Sequence, residues 1–140
     1  MGKIMDRRLF LSSLGAGALL TLVGCKPKAP YELVPISGVV KYKGQPLDDR
    51  FHIEFTPKDH SRPSMARINA DGTFEAVHTA SQKGVKSGPN EIIVYWNADP
   101  TVTPVPDEFK EMMDKYGFTG NAKLEVDIQK KDNKFEVNYE

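Results

Sequence analysis

Phe51-His52-Ile53-Glu54-Phe55 alternates strictly between apolar and polar side chains. A strand turns successive side chains to opposite faces, so this run fits a sheet with one dry and one wet side and does not fit a helix. Related runs fill the chain from residue 36 onward. Residues 36–43 read as a strand that ends in the turn Gly44-Gln45-Pro46-Leu47, and Thr56-Pro57 closes the strand at Phe51. Across 64–78 the dipeptide Asp71-Gly72 predicts a hairpin tip, with Ala66, Ile68, Phe74 and Ala76 on the core face. The near-continuous apolarity of Glu91-Ile92-Ile93-Val94-Tyr95-Trp96 predicts a central strand buried on both faces. Residues 124–128 and 135–139 alternate on either side of Lys131-Asp132-Asn133 and predict a final hairpin. Ten prolines and eleven glycines, spread along the chain, match this pattern of short elements and many turns.

One segment has the other period. Phe109, Met112, Met113 and Tyr116 recur at helical spacing after Pro106, with Asp107 and Glu108 in the first turn and Gly117 past the end. The stripe predicts a short helix that covers an open end of the sandwich rather than a Met-rich groove for a partner. Taken together, residues 34–140 predict an all-β domain, an immunoglobulin-like or transthyretin-like sandwich of about seven strands with one short helix before the last hairpin.

Residues 1–24 read as an address. Lys3, Arg7 and Arg8 precede an apolar segment, 9–23, broken by Ser12, Ser13, Gly15 and Gly17. It is shorter than the roughly 20 apolar residues that span a bilayer, and its flanks suit a secretory signal peptide. Leu22-Val23-Gly24-Cys25 resembles the lipobox of bacterial lipoproteins. The resemblance implies that the only cysteine, Cys25, becomes the first mature residue and carries acyl chains (palmitate among them) that anchor the protein to a membrane. Arg7-Arg8-Leu9-Phe10 looks like a twin-arginine export signal, although Asp6 departs from the usual Ser or Thr, and a general secretory route is the alternative. Residues 25–33 then form a proline-stiffened lipidated tether. Lys26 is not the retaining aspartate of enteric lipoproteins, which points to the outer membrane, on its periplasmic or surface face.

Charge excludes some partners. Removing residues 1–24 takes Lys3, Arg7, Arg8 and Asp6 from 19 charges of each sign and leaves 16 basic and 18 acidic residues. A mildly acidic domain without a basic patch is not a nucleic-acid binder.

The order of the β motifs is similar to that of carboxypeptidase regulatory-like, transthyretin-like domains. Ile36-Ser37-Gly38-Val39-Val40, Gly44-Gln45-Pro46-Leu47, Phe55-Thr56-Pro57, Asp71-Gly72-Thr73-Phe74 and Gly88-Pro89-Asn90-Glu91-Ile92-Ile93-Val94 follow the family's sequence of elements. With Val105-Pro106-Asp107-Glu108-Phe109 and Lys115-Tyr116-Gly117, the arrangement looks like small lipoproteins abundant in Planctomycetes. The resemblance covers nearly all of 34–140 and implies a β-sandwich without an established enzymatic role. Hydroxyisourate hydrolases on the transthyretin-like fold end in Tyr-Arg-Gly-Ser, whereas this chain ends Val137-Asn138-Tyr139-Glu140.

No catalytic constellation stands out: there is no G-x-S-x-G, no H-E-x-x-H and no glycine-rich phosphate loop. No cofactor is implied. His52, His60 and His78 lie in separate segments and read as solvated surface residues, with only His52 and Glu54 sharing a strand face. Lys41, Asn138 and Glu54 are the residues that an internal Lys–Asn isopeptide bond would need, but Glu54 falls on the polar face. His52, Glu54, Tyr95 and Trp96 are the candidate ligand-binding residues, with Tyr42 a further ring that could join a glycan or peptide platform. The reading is a lipid-anchored, non-catalytic binding or structural module of the cell envelope, whose partner is an envelope protein or glycan. A periplasmic small-ligand or metal-binding accessory and a cell-wall scaffold are the other readings. The oligomeric state is open.

Overall fold

Phe51–Pro57 does form a strand with strict alternation, Phe51, Ile53, Phe55 and Pro57 inward and His52, Glu54 and Thr56 outward. The structure, a computed structural model, describes residues 28–131 and 134–140. Along them run β1 (Leu33–Val34), β2 (Ser37–Tyr42), β3 (Gln45–Pro46), β4 (Phe51–Pro57), β5 (Ser64–Arg67) and β6 (Thr73–Glu75). There follow β7 (Val77–Thr79), β8 (Gln82–Lys83), β9 (Val85–Lys86), β10 (Gly88–Trp96), α1 (Asp107–Tyr116), β11 (Leu124–Ile128) and β12 (Lys134–Tyr139). The fold is an all-β sandwich with one helix. Its larger sheet has the order β11-β10-β4-β5-β7-β8; the smaller places β12 on one side of β2, with β3 and β6 on the other. A two-stranded piece, β1-β9, closes one margin.

The core lies between the sheets. Val40, Phe51, Ile53, Phe55, Ala66, Phe74, Ala76, Val94, Met112 and Val137 are buried in it, from both sheets and the helix. Tyr139 bridges the layers: its buried hydroxyl donates to the Ile92 carbonyl on β10, 3.2 Å away. Tyr139→Phe is expected to lower stability by about 1 kcal/mol, the usual worth of such a bond, measured by urea denaturation.

Two turns fit their residues. β2 and β3 are joined by Lys43 and Gly44, both at positive φ (47° and 80°), the primed geometry of a two-residue hairpin. The four-residue turn is therefore Tyr42-Lys43-Gly44-Gln45, two residues earlier than Gly44-Gln45-Pro46-Leu47. At 69–72 the Gly72 amide donates to the Asn69 carbonyl and Ile68 bridges to Phe74, so Asp71 and Gly72 form the tip as predicted. Beyond the tip the chain does not simply return along β5. β6 crosses to pair with β2, and β7 comes back to β5 at Met65↔Val77.

Three expectations need correction. β10 is central in its sheet, but only Asn90, Ile92 and Val94 are buried; Glu91, Ile93, Tyr95 and Trp96 are half-exposed. The final two strands do not pair with each other. β11 is the antiparallel edge neighbour of β10, whereas β12 crosses over to lie parallel to β2 in the smaller sheet; Asp132 and Asn133 of the expected turn are outside the described residues. The segment 25–33 is docked to the domain at its end, since Leu33 pairs with Lys86 and Tyr31 packs on His78.

Helix α1 starts after Pro106 and ends at Gly117. Met112 is buried, and Phe109, Met113 and Tyr116 pack against the core. Phe109 meets Tyr42 and Phe51, and Tyr116 meets Tyr139. The apolar stripe thus covers the sandwich instead of presenting a groove.

Candidate functional site

The antiparallel register of β4 and β10 sets His52 opposite Tyr95 and Glu54 opposite Ile93 on the outer face of the larger sheet. On β5 the same register sets Arg67 opposite His52 and Met65 opposite Glu54. Directly opposed residues have their Cβ atoms within about 5.5 Å of each other, so these side chains are neighbours. His52 and Tyr95 stack with centroids 4.9 Å apart and planes 3° from parallel. Phe118, 74% exposed, lies 6.2 Å from Tyr95 on the loop after α1. A row of three rings results, beside exposed Met65 and Val77.

Trp96 does not join this row. Its parity places it opposite Phe51, which it meets edge to face at 5.1 Å, and its indole N–H donates to the Thr103 carbonyl at 2.8 Å. It fastens the 97–106 loop to the sandwich. Tyr42 is buried against Phe109 and is likewise no part of an exposed platform.

The orientation of His52 is fixed by Asn97. The Asn97 Nδ2 donates to the Asp49 carbonyl at 2.8 Å, which turns Oδ1 toward His52 Nδ1, 2.5 Å away. With an acceptor facing it, Nδ1 carries the proton, and neutral His52 keeps Nε2 as an acceptor. Glu54 accepts a hydrogen bond from Thr56 Oγ1 at 3.1 Å. Between these strands and the 69–70 turn lies a depression of about 620 Å³, lined by Asp49, His52, Met65, Arg67, Asn69 and Asn97. A second, of about 490 Å³, adjoins it across Met65 and Arg67. Among the described residues no three His, Cys, Asp or Glu side chains cluster as a metal site would require.

His78 departs from its reading as a surface residue. It is buried, with Nδ1 2.9 Å from Ser64 Oγ and Nε2 3.2 Å from the Tyr31 hydroxyl. Parity could have found it: after inward Phe74 and Ala76, His78 is the next inward position, as Ser64 is relative to Ala66 and Ile68. Ser64 is itself buried, so the pair is a structural clasp and not an exposed nucleophile and base. Burial first, and the Arg62 charge second, lower the His78 pKa below 6.5. Unfolding raises that pKa, so the unfolded chain binds the proton more readily and stability is lost as pH falls below 6.5. His78→Gln is expected to flatten this part of a melting-temperature profile between pH 7 and 5.

Lys41 and Asn138 are register partners on β2 and β12, yet Glu54 lies on the other sheet. The acid beside them is Glu136, 3.3 Å from Lys41, whose carboxyl hydrogen bonds from Asn138 and Lys41 hold below its usual range. Glu136 is exposed, whereas the bond needs a buried acid between its Lys and Asn. Intact mass is therefore expected to show no loss of ammonia.

Arg7, Arg8, Leu22, Val23, Gly24 and Cys25 lie outside the described residues. No described helix is long and apolar enough to cross a membrane.

The chain matches no protein-family model and no curated protein sequence. Among solved structures it is similar to a DUF3823 family protein from Parabacteroides merdae, at 18% identity and a TM-score of 0.42. That likeness covers 77% of this chain, which spans about 45% of the other protein's length.

Proposed function

We propose that this chain is a lipid-anchored, non-catalytic β-sandwich of the cell envelope that binds its target through the outer face of the larger sheet. The observation that carries the reading is the row His52–Tyr95–Phe118 beside exposed Met65 and Val77, on a face that a two-layer sandwich ordinarily covers with polar residues. The lipobox-like Leu22-Val23-Gly24-Cys25 and the Arg7-Arg8 pair support export and anchoring, at the outer membrane. Kinship with carboxypeptidase regulatory-like domains and planctomycete lipoproteins belongs to the same proposal and rests on the order of the motifs from Val34 to Gly117.

The test is co-sedimentation of the non-lipidated mature chain with the insoluble envelope fraction. Met65→Gln combined with Val77→Thr should sharply lower retention while leaving the melting temperature nearly unchanged, since both side chains are exposed and neither replacement sets like charges opposite each other or Glu54. Undiminished retention would show that this face is not the binding surface.

A further inference from the structure

We infer that the depression between His52 and Arg67 is a binding site for a singly charged hydroxy acid, and that its ligand is a hexuronate unit of an acidic glycan. The inference rests on the proposed binding role of the outer face and gives that face a chemical class of ligand.

Arg67 supplies the first term. Its guanidinium has no hydrogen bond or ion pair among the described residues, whereas Arg50 is held in a fork by Asp48. A free planar fork beside a depression matches a carboxylate, which it can engage through two parallel hydrogen bonds. His52 supplies the second. Asn97 Oδ1 faces its Nδ1, so in the uncharged ring Nε2 is left to accept from a hydroxyl and not from a carboxylate. Asp49 is the third: it lines the same depression, and its carboxylate accepts no side-chain hydrogen bond among the described residues. It can take a second hydroxyl.

The balance of charge narrows the class. Among the described residues Arg67 is the one Lys or Arg side chain lining either depression, with Asp49 lining the first and Glu75, already paired with Lys83, lining the second. An anionic ligand must therefore place its charge directly on the Arg67 fork, and a phosphate or sulfate bearing two charges meets more repulsion from the flanking carboxylates than a single carboxylate does. A neutral sugar would leave Arg67 unmatched. The depression of about 620 Å³ continues across Met65 and Arg67 into that of about 490 Å³, and each falls within the range of roughly 300–1,000 Å³ usual for small-ligand sites. Exposed Met65 and Val77 offer apolar contact to the C–H faces of sugar rings. Two adjoining depressions with one apolar ridge suit a chain of sugars better than a single free acid.

The experiment is isothermal titration of the non-lipidated mature chain with tetragalacturonate and tetramannuronate, with maltotetraose, free glucuronate and inorganic phosphate as comparison ligands. At least one acidic tetrasaccharide is expected to bind, more tightly than free glucuronate or phosphate, and maltotetraose not to bind. Arg67→Gln should weaken binding at least tenfold, with part recovered in Arg67→Lys. The inference is overturned if neither acidic tetrasaccharide binds, if maltotetraose binds equally well, if phosphate binds better, or if Arg67→Gln has no effect. If maltotetraose binds and Met65→Gln with Val77→Thr removes it, the outer face stands as the binding surface and the acidic ligand falls. Loss of envelope retention in that double variant with no sugar bound gives the same separation.

Discussion

Phe51→Ala is expected to lower the unfolding free energy by about 3–5 kcal/mol, the range for truncating a fully buried phenylalanine. Phe51 has no exposed surface and stands at the meeting point of three parts of the fold. It opens β4, meets Trp96 edge to face at 5.1 Å, and meets Phe109 of α1 edge to face at 5.0 Å. Each such pair adds about 0.5–1.5 kcal/mol beyond burial. Truncation leaves a cavity that the flanking strands cannot close, because β4 is held by β10 on one side and β5 on the other. It also loosens Trp96, and with it the 97–106 loop. Guanidinium denaturation measures the loss, and a midpoint like that of the wild type would show that the helix and loop do not depend on this ring. Phe118→Ala is the matched control, expected within about 0.5 kcal/mol of wild type because that ring is exposed.

Cys25→Ala is the second large effect, and it concerns location and not stability. If Cys25 carries the acyl chains, the variant takes up no labelled fatty acid and moves from the detergent phase to the aqueous phase on phase separation. The change should be close to complete, because several acyl chains anchor a protein firmly and no described helix is long and apolar enough to cross a membrane. A wild-type protein that incorporates no lipid label, or a variant that still partitions into detergent, would remove the anchor from the proposal.

Where the sequence was legible, the reason is periodicity. Phe51, Ile53 and Phe55 are inward because a strand repeats every two residues, and Phe109, Met112, Met113 and Tyr116 share a face because a helix repeats near every 3.6. Asp71-Gly72 turns the chain for the conformational reason its residues suggest. Periodicity tells which face a residue takes and not which strand lies beside it, so β11 and β12 read as a hairpin although each joins a different sheet. The same gap hid the site. His52 and Glu54 share a face by parity, but Arg67, Asn97 and Phe118 reach them only through register and loop path. Tyr95 and Trp96, adjacent in sequence, look like one aromatic platform until parity sends Trp96 inward to Phe51. Ile93 looks like core because its neighbours are apolar, yet its side chain lies on the wet side of the sheet.

The clasp at Tyr31 has a consequence for the whole molecule. Tyr31 is pinned to His78, the Lys86 ammonium lies 4.8 Å from its ring centre, and the Ser87 amide donates to the Glu32 carbonyl. If acyl chains sit on Cys25, only residues 26–30 separate the lipid from Tyr31, a leash that even when fully extended reaches only about 20 Å. A leash that short would keep the sandwich beside the lipid headgroups and limit how far it could turn over. The protein would then meet its ligand as a fixture of the membrane surface, scanning only what lies within one domain's breadth of the bilayer.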